Sequence, residues 1–208
     1  MKLSIAVLIG CAAWLNTSAL CASDITPELH DAAVKVAVTT CANCHGAQGR
    51  SANPKFPRLA AQHATYLVTQ MKNFKSQTRG DPDALGYMWG MAAPLPDELI
   101  GALADYYSTQ RAAGGITSDP ALIARGRDIY ENGVATEGIP PCASCHGPNA
   151  AGTEDFPRLA GQHSQYLLKQ LRSFQNNMRD VAIMHGVAAG LKTSEMDAVA
   201  SFLQSLGN

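Results

Sequence analysis

The sequence predicts an all-α fold of two tandem domains, each of about three main helices. Three observations carry that expectation. The 208-residue chain repeats itself with a period of about 100 residues, which is a domain duplication and not a solenoid repeat. Side chains recur at helical spacing, as Tyr66, Gln70 and Phe74 and again as Tyr166, Gln170 and Phe174. Alternating β-branched runs, the mark of a sheet, are missing.

The repeat sets the boundaries. CANCHG at 41–46 is answered by CASCHG at 142–147, and FPRLA at 56–60 by FPRLA at 156–160. Gln62, His63, Leu67 and their neighbours match Gln162, His163 and Leu167, at an offset of 100. The offset falls to 96 where MWGMAAPL at 88–95 meets MHGVAAGL at 184–191, so the first half holds four extra residues around 79–86. The gly-rich stretch 111–118 is the natural joint. The division expected is a signal peptide at 1–22, a first domain at 23–112, a linker at 113–118 and a second domain at 119–208.

Within each domain the first helix is expected at 27–40, with Thr26 as N-cap and Pro27 in the first turn, and again from Asp119 and Pro120. Second helices are expected at 62–76 and 162–178, third helices at 96–110 and 193–206. The connections 46–61 and 77–94 have no periodicity, and loops of that length in a small domain need something to organise them.

Composition narrows the function. A formal net charge of −1 gives no basic excess for nucleic acid. Aromatic residues are only 6% of the chain, thin stock for two cores unless an apolar group is packed among them. The start reads as an export signal, with Lys2 ahead of an apolar run at 3–15 and small residues through Ser23, which places the mature chain in the periplasm. The run is too short to span a bilayer. A rival reading takes Leu8-Ile9-Gly10-Cys11 as a lipid-anchoring signal. Cys11 and Cys21 leave with the signal, so four cysteines remain, in two pairs.

Those pairs carry the chemistry. Cys41, Cys44 and His45, and again Cys142, Cys145 and His146, spell Cys-x-x-Cys-His, the attachment signature of c-type haem. Two thiols three residues apart reach the two vinyl groups on one porphyrin edge, and the adjacent histidine falls under the ring as an iron ligand. Two covalently attached haems are therefore expected, with the helices of each domain wrapped around one. A Cys₄ zinc site would need the pairs close together, yet they are separated by 97 residues and each opens its own repeat copy. A thioredoxin-like pair would follow a strand, and none is expected.

An electron carrier holds its iron with a second protein ligand, and thioether sulfur raises the potential. Met88 and Met184 occupy the same place in both copies, in the loop before the third helix. Met91 faces Val187 in the alignment and is read as apolar filler; Met71, Met178 and Met196 are unrepeated helix residues. His63 and His163 repeat, which keeps bis-histidine ligation open, although their place at a helix start suits local hydrogen bonds. His30 and His185 read as surface residues. Pro57 and Pro157 offer carbonyls to the axial histidines. Arg58 and Arg158 are read either as partners of haem propionates or as solvated charges.

Taken together, CxxCH, FPRLA-x-Q-H-x-x-Y-L-x-x-Q and M-x-x-x-A-A-x-L, each present twice or nearly so, resemble the dihaem cytochrome c4 family over almost the whole mature chain. The resemblance implies two tandem cytochrome c domains related by a pseudo-twofold, with haem iron held by His45 and Met88 and by His146 and Met184. It implies an electron carrier of a respiratory chain, not an enzyme, taking electrons from a quinol–cytochrome c reductase-type donor and passing them toward a terminal oxidase, with peripheral membrane association. One departure is the first helix: the second copy has Gly126 and Tyr130 for contact with the last helix, whereas the first has Val34 and Val38 nearby and no glycine. Two rivals remain: a cytochrome subunit of a periplasmic dehydrogenase, and a dihaem redox enzyme such as a thiosulfate dehydrogenase or a peroxidase.

Overall fold

The structure, a computed structural model, describes residues 25–153 and 156–207; the signal expected at 1–22, with Cys11 and Cys21, lies outside them. Helix α1 (Pro27–Val36) opens on Thr26, whose Oγ1 accepts from the Leu29 N–H at 3.3 Å. It runs into one π-helical turn, Ala37–Cys41, and then α2 (Ala42–His45). Helix α3 (Ala64–Lys75) follows a long connection. A second π turn, Ala84–Met88, continues as α4 (Trp89–Ala92), and α5 (Asp97–Ser108) closes the domain.

The second domain repeats the order with α6 (Pro120–Asn132), α7 (Ala143–His146), α8 (Ser164–Gln175), α9 (Ala182–Gly190) and α10 (Thr193–Ser205). Asp119 caps α6, its Oδ1 accepting the Ala121 N–H at 2.9 Å. Among the described residues β pairing is confined to two isolated bridges, Arg79 with Arg179 and Val134 with Ile139. No helix among them is long and apolar enough to cross a membrane.

One expectation is corrected. The methionine segments are not irregular: Met88 ends a π turn and Met184 lies inside α9. Helical pieces this short, made of Ala, Gly and Met, never complete the apolar period by which a longer helix is read.

The first and last helices of each domain pack on one another. In the second domain α6 comes so close to α10 that a Cβ on Gly126 would lie 2.0 Å from the Ala198 carbonyl oxygen. Tyr130 of α6 then fills the space beside Phe202 and Leu203. In the first domain the large and small partners change places. Ala33 of α1 is fully buried near Ala102, and the aromatic bulk comes from Tyr107 on α5, the residue that aligns with Leu203. The first domain thus makes the contact with alanine, Ala33, in place of a glycine.

The domains meet through α3 and α8. Arg79 and Arg179, each only 6% exposed, lie side by side at the seam. Gln70 Oε1 accepts from both, at 2.7 Å and 2.8 Å, and Gln170 Oε1 accepts from both, at 2.9 Å and 2.8 Å. Arg179 also donates to the Tyr66 hydroxyl at 2.7 Å and Arg79 to the Tyr166 hydroxyl at 3.3 Å. Each guanidinium covers a ring of its own domain, Phe74 or Phe174. Asp81, also buried, binds Arg79 Nε at 2.7 Å. These reciprocal bonds give the pair its pseudo-twofold. The linker lies on α10, where the Ile116 N–H donates to the Gln204 carbonyl at 3.0 Å.

Candidate haem-binding sites

Each Cys-x-x-Cys-His forms a single helical turn, α2 or α7, ended by a glycine at positive φ, Gly46 at 75° and Gly147 at 76°. The turn brings the histidine inward while the cysteines stay nearer the surface: His45 and His146 are buried, Cys44 is exposed, and Cys41, Cys142 and Cys145 are half-buried. All four thiols are free. Burial pushes the Cys142 thiol up to about 11 and raises that of Cys41.

The histidines are held in the same way in both domains. His45 Nδ1 lies 2.9 Å from the Pro57 carbonyl oxygen and His146 Nδ1 lies 3.1 Å from that of Pro157. A carbonyl can only accept, so the proton sits on Nδ1 and Nε2 is left bare. Burial, opposed by this hydrogen bond, holds both imidazoles below their ordinary pKa, in the neutral form that ligates iron. Phe56 and Phe156 stand edge to face against the rings, at 6.3 Å and 6.0 Å. A buried neutral imidazole with a bare nitrogen, beside two free thiols, fits a covalently held haem. Among the described residues no three of His, Cys, Asp and Glu gather as they would around a zinc ion.

Met88 and Met184 are both half-buried. Met88 packs against Phe74, Ala84 and Ala92. The residue after each methionine ties its turn back to the preceding helix or loop: Trp89 Nε1 donates to the Arg79 carbonyl and His185 Nδ1 to the Phe174 carbonyl, both at 2.8 Å. His185 is therefore a brace and not the plain surface residue expected.

The imidazoles of the repeated His63 and His163 do not bond locally. His63 Nε2 donates to the Ala151 carbonyl and His163 Nε2 to the Ser51 carbonyl, each at 2.8 Å and each across the seam. Arg58 is also a brace, donating to carbonyls of Ser51, Gly114 and Gly161 and so tying first domain, linker and second domain together. The solvated reading of that side chain does not describe this arrangement.

Sequence reasoning gave no role to Gln62 and Gln162. The Gln162 side chain accepts from the Arg58 N–H at 2.9 Å and donates to the Arg58 carbonyl at 2.9 Å. Gln62 does the same to Arg158, at 2.8 Å and 3.0 Å. Each amide thus pairs with the other domain's FPRLA backbone as a strand would. The signal was available: two buried polar residues, repeated in register, that no helical face required.

A family model described as Cytochrome c matches residues 31–110 and 123–207. Cytochrome c4 of Stutzerimonas stutzeri is 40% identical over 180 residues, covering 81% of this chain and 85% of that protein. A thiosulfate dehydrogenase electron acceptor of Thiomonas intermedia is 36% identical over 180 residues, covering 83% of this chain and 81% of its own. Among solved structures, cytochrome c4 of Acidithiobacillus ferrooxidans superposes with a TM-score of 0.76 at 38% identity, covering 80% of this chain and 98% of that one.

Proposed function

Because the chain belongs to the cytochrome c4 family, dihaem c-type electron carriers, we propose that Cys41 and Cys44 bind one haem through thioethers and Cys142 and Cys145 the other. His45 and Met88 would hold the first iron, His146 and Met184 the second. The observation that carries this reading is the duplicated buried histidine whose Nδ1–H is spent on a proline carbonyl, leaving Nε2 for iron. The bound haem supplies one-electron iron chemistry. The chain does the rest: thioethers hold the group, the Pro57 and Pro157 carbonyls fix the imidazole tautomers, and thioether sulfur favours the reduced state.

We infer that the mature protein is exported to the periplasm, accepts electrons there from a quinol–cytochrome c reductase-type donor and passes them toward a terminal oxidase. A second reading is favoured by the similarity to a thiosulfate dehydrogenase electron acceptor: the donor is a sulfur-oxidising dehydrogenase and this chain its electron acceptor. Mass spectrometry of the denatured mature protein should show two added haem masses; a single one would refute the ligand assignment. Stopped-flow mixing of the oxidised holoprotein with each reduced donor class separates the two readings. Fast reduction by the dehydrogenase alone would overturn the respiratory one.

A further inference from the structure

One peptide unit in each domain is gripped from both ends. The amide joining Pro57 to Arg58 offers its C=O to the His45 Nδ1–H at 2.9 Å, and its N–H donates to Gln162 Oε1 at 2.9 Å. Gln162 belongs to the other domain. The mirror arrangement holds: the amide joining Pro157 to Arg158 accepts from His146 at 3.1 Å, and its N–H donates to Gln62 Oε1 at 2.8 Å. Both glutamines are buried. Each is kept in place by further bonds, the amide nitrogen to the same arginine's carbonyl and the Oε1 to the next residue's own N–H, that of His163 or His63.

We propose that Gln162 and Gln62 are cross-domain positioning residues, each setting how strongly the axial histidine of the other domain is held and how basic it is. This rests on the reading of His45 and His146 as iron ligands. The physics is that of a hydrogen-bonded chain through a resonant amide. An acceptor on the N–H draws positive charge toward it and leaves more negative charge on the carbonyl oxygen, which strengthens the bond that oxygen accepts. A more firmly held Nδ1–H makes Nε2 a stronger donor to iron, and a stronger donor favours the oxidised state. The first domain's iron is therefore tuned from the second domain and the reverse. Docking of the domains changes both sites without moving a ligand.

A fastening role alone would loosen both domains alike; the relay predicts an effect in one domain only, the one that does not contain the substitution. The test uses the holoprotein with both haems. In Gln162→Leu the His45 Nδ1–H resonance of the reduced protein should move upfield while that of His146 stays. The first haem's potential should rise, changing the equilibrium constant for sharing one electron between the haems by up to about threefold, or about 28 mV at 59 mV per tenfold. Gln62→Leu should give the mirror image. Equal shifts at both haems, a shift confined to the substituted domain, or none would overturn the relay. Should Gln162→Leu fail to fold, Gln162→Glu keeps an oxygen, and a stronger acceptor, on the Arg58 N–H. His45 should then move downfield with His146 unmoved, and an unmoved His45 overturns the proposal. Two haem masses and both sulfur–iron charge-transfer bands in the unsubstituted protein are checked first. Their absence would sink the ligand assignment and leave the hydrogen-bonded chain itself standing.

Discussion

Under the ligation proposed above, single residues decide which of two neighbouring sulfurs would meet iron. Met88 is half-buried against Phe74, whereas Met91, one turn on, is 43% exposed and aligns with Val187. A ligand position needs sulfur in both copies; a packing position takes Met or Val alike. Replacing Met88 with alanine should therefore abolish the sulfur–iron charge-transfer band of one haem and lower that haem's potential, by a visible part of the ~0.8 V range that axial ligands span. Met91→Leu should leave band and potential in place, and a voltammogram of each variant checks both. The duplicated sequence proposes this assignment by comparing each position with itself. The cross-seam bonds of His63 and His163 were not legible in it. Their acceptors, Ala151 and Ser51, stand 88 and 112 residues away in the chain, and nothing local announces a bond of that reach. The tautomer of His45 was half legible: a proline a dozen residues on suggested the carbonyl, and only the fold shows that it arrives at 2.9 Å.

Pairs of helices decide how tightly each domain closes around its group. The caps on Thr26 and Asp119 and the prolines after them are local chemistry, so the sequence places both helix starts correctly. The ends are less legible. The stretch expected to stay helical to residue 40 widens into a π turn at Ala37–Cys41. The second domain spends residues 133–141 on the approach to its first cysteine. The helix contact is likewise solved twice, by Gly126 with Tyr130 in one domain and by Ala33 with Tyr107 in the other. Gly126→Ala should be the costlier substitution, since its methyl meets backbone at Ala198 and the helices must part. A loss of ~2 kcal/mol is expected, a fall of roughly 8–16 °C in the Tm of the second domain. Ala33→Gly should cost only about 1 kcal/mol, mostly backbone entropy. Calorimetry of the two variants checks the order, and an unchanged Tm in Gly126→Ala would show that the close approach is not needed.

At the scale of the whole molecule, two domains were legible from the repeat, but their seam was not, because Tyr66, Gln70 and their copies sit at helical spacing and read as an ordinary face. That face buries two arginines against each other, and the carboxylate bound to Arg79, Asp81, has no copy: Val181 stands in its place. A half-buried pair across the seam, Lys169 with Asp83 at 2.6 Å, is better solvated and adds less. Burial by itself would raise the Asp81 pKa, but the charge and hydrogen bond of Arg79, with help from Gln170 and Arg179, hold it below the ordinary carboxylate value. The sign follows. A carboxyl whose pKa is lower folded than unfolded contributes stability that is full above its unfolded value of about 3.9, and that is lost as pH falls through the folded value. Asp81→Asn should leave two buried guanidiniums with neutral acceptors only, and breaking a buried pair from one side costs about 3–5 kcal/mol. The loss should fall on the seam and not on either core. At neutral pH the variant should show two separate unfolding transitions and faster proteolysis in the linker, with both haem spectra intact. The gap between wild type and variant should narrow as pH drops below about 4, where the wild-type carboxylate begins to protonate in the unfolded chain. A gap that stays constant down to acid pH would mean that Asp81 holds the seam by shape alone, and that the arginine pair is content without its anion.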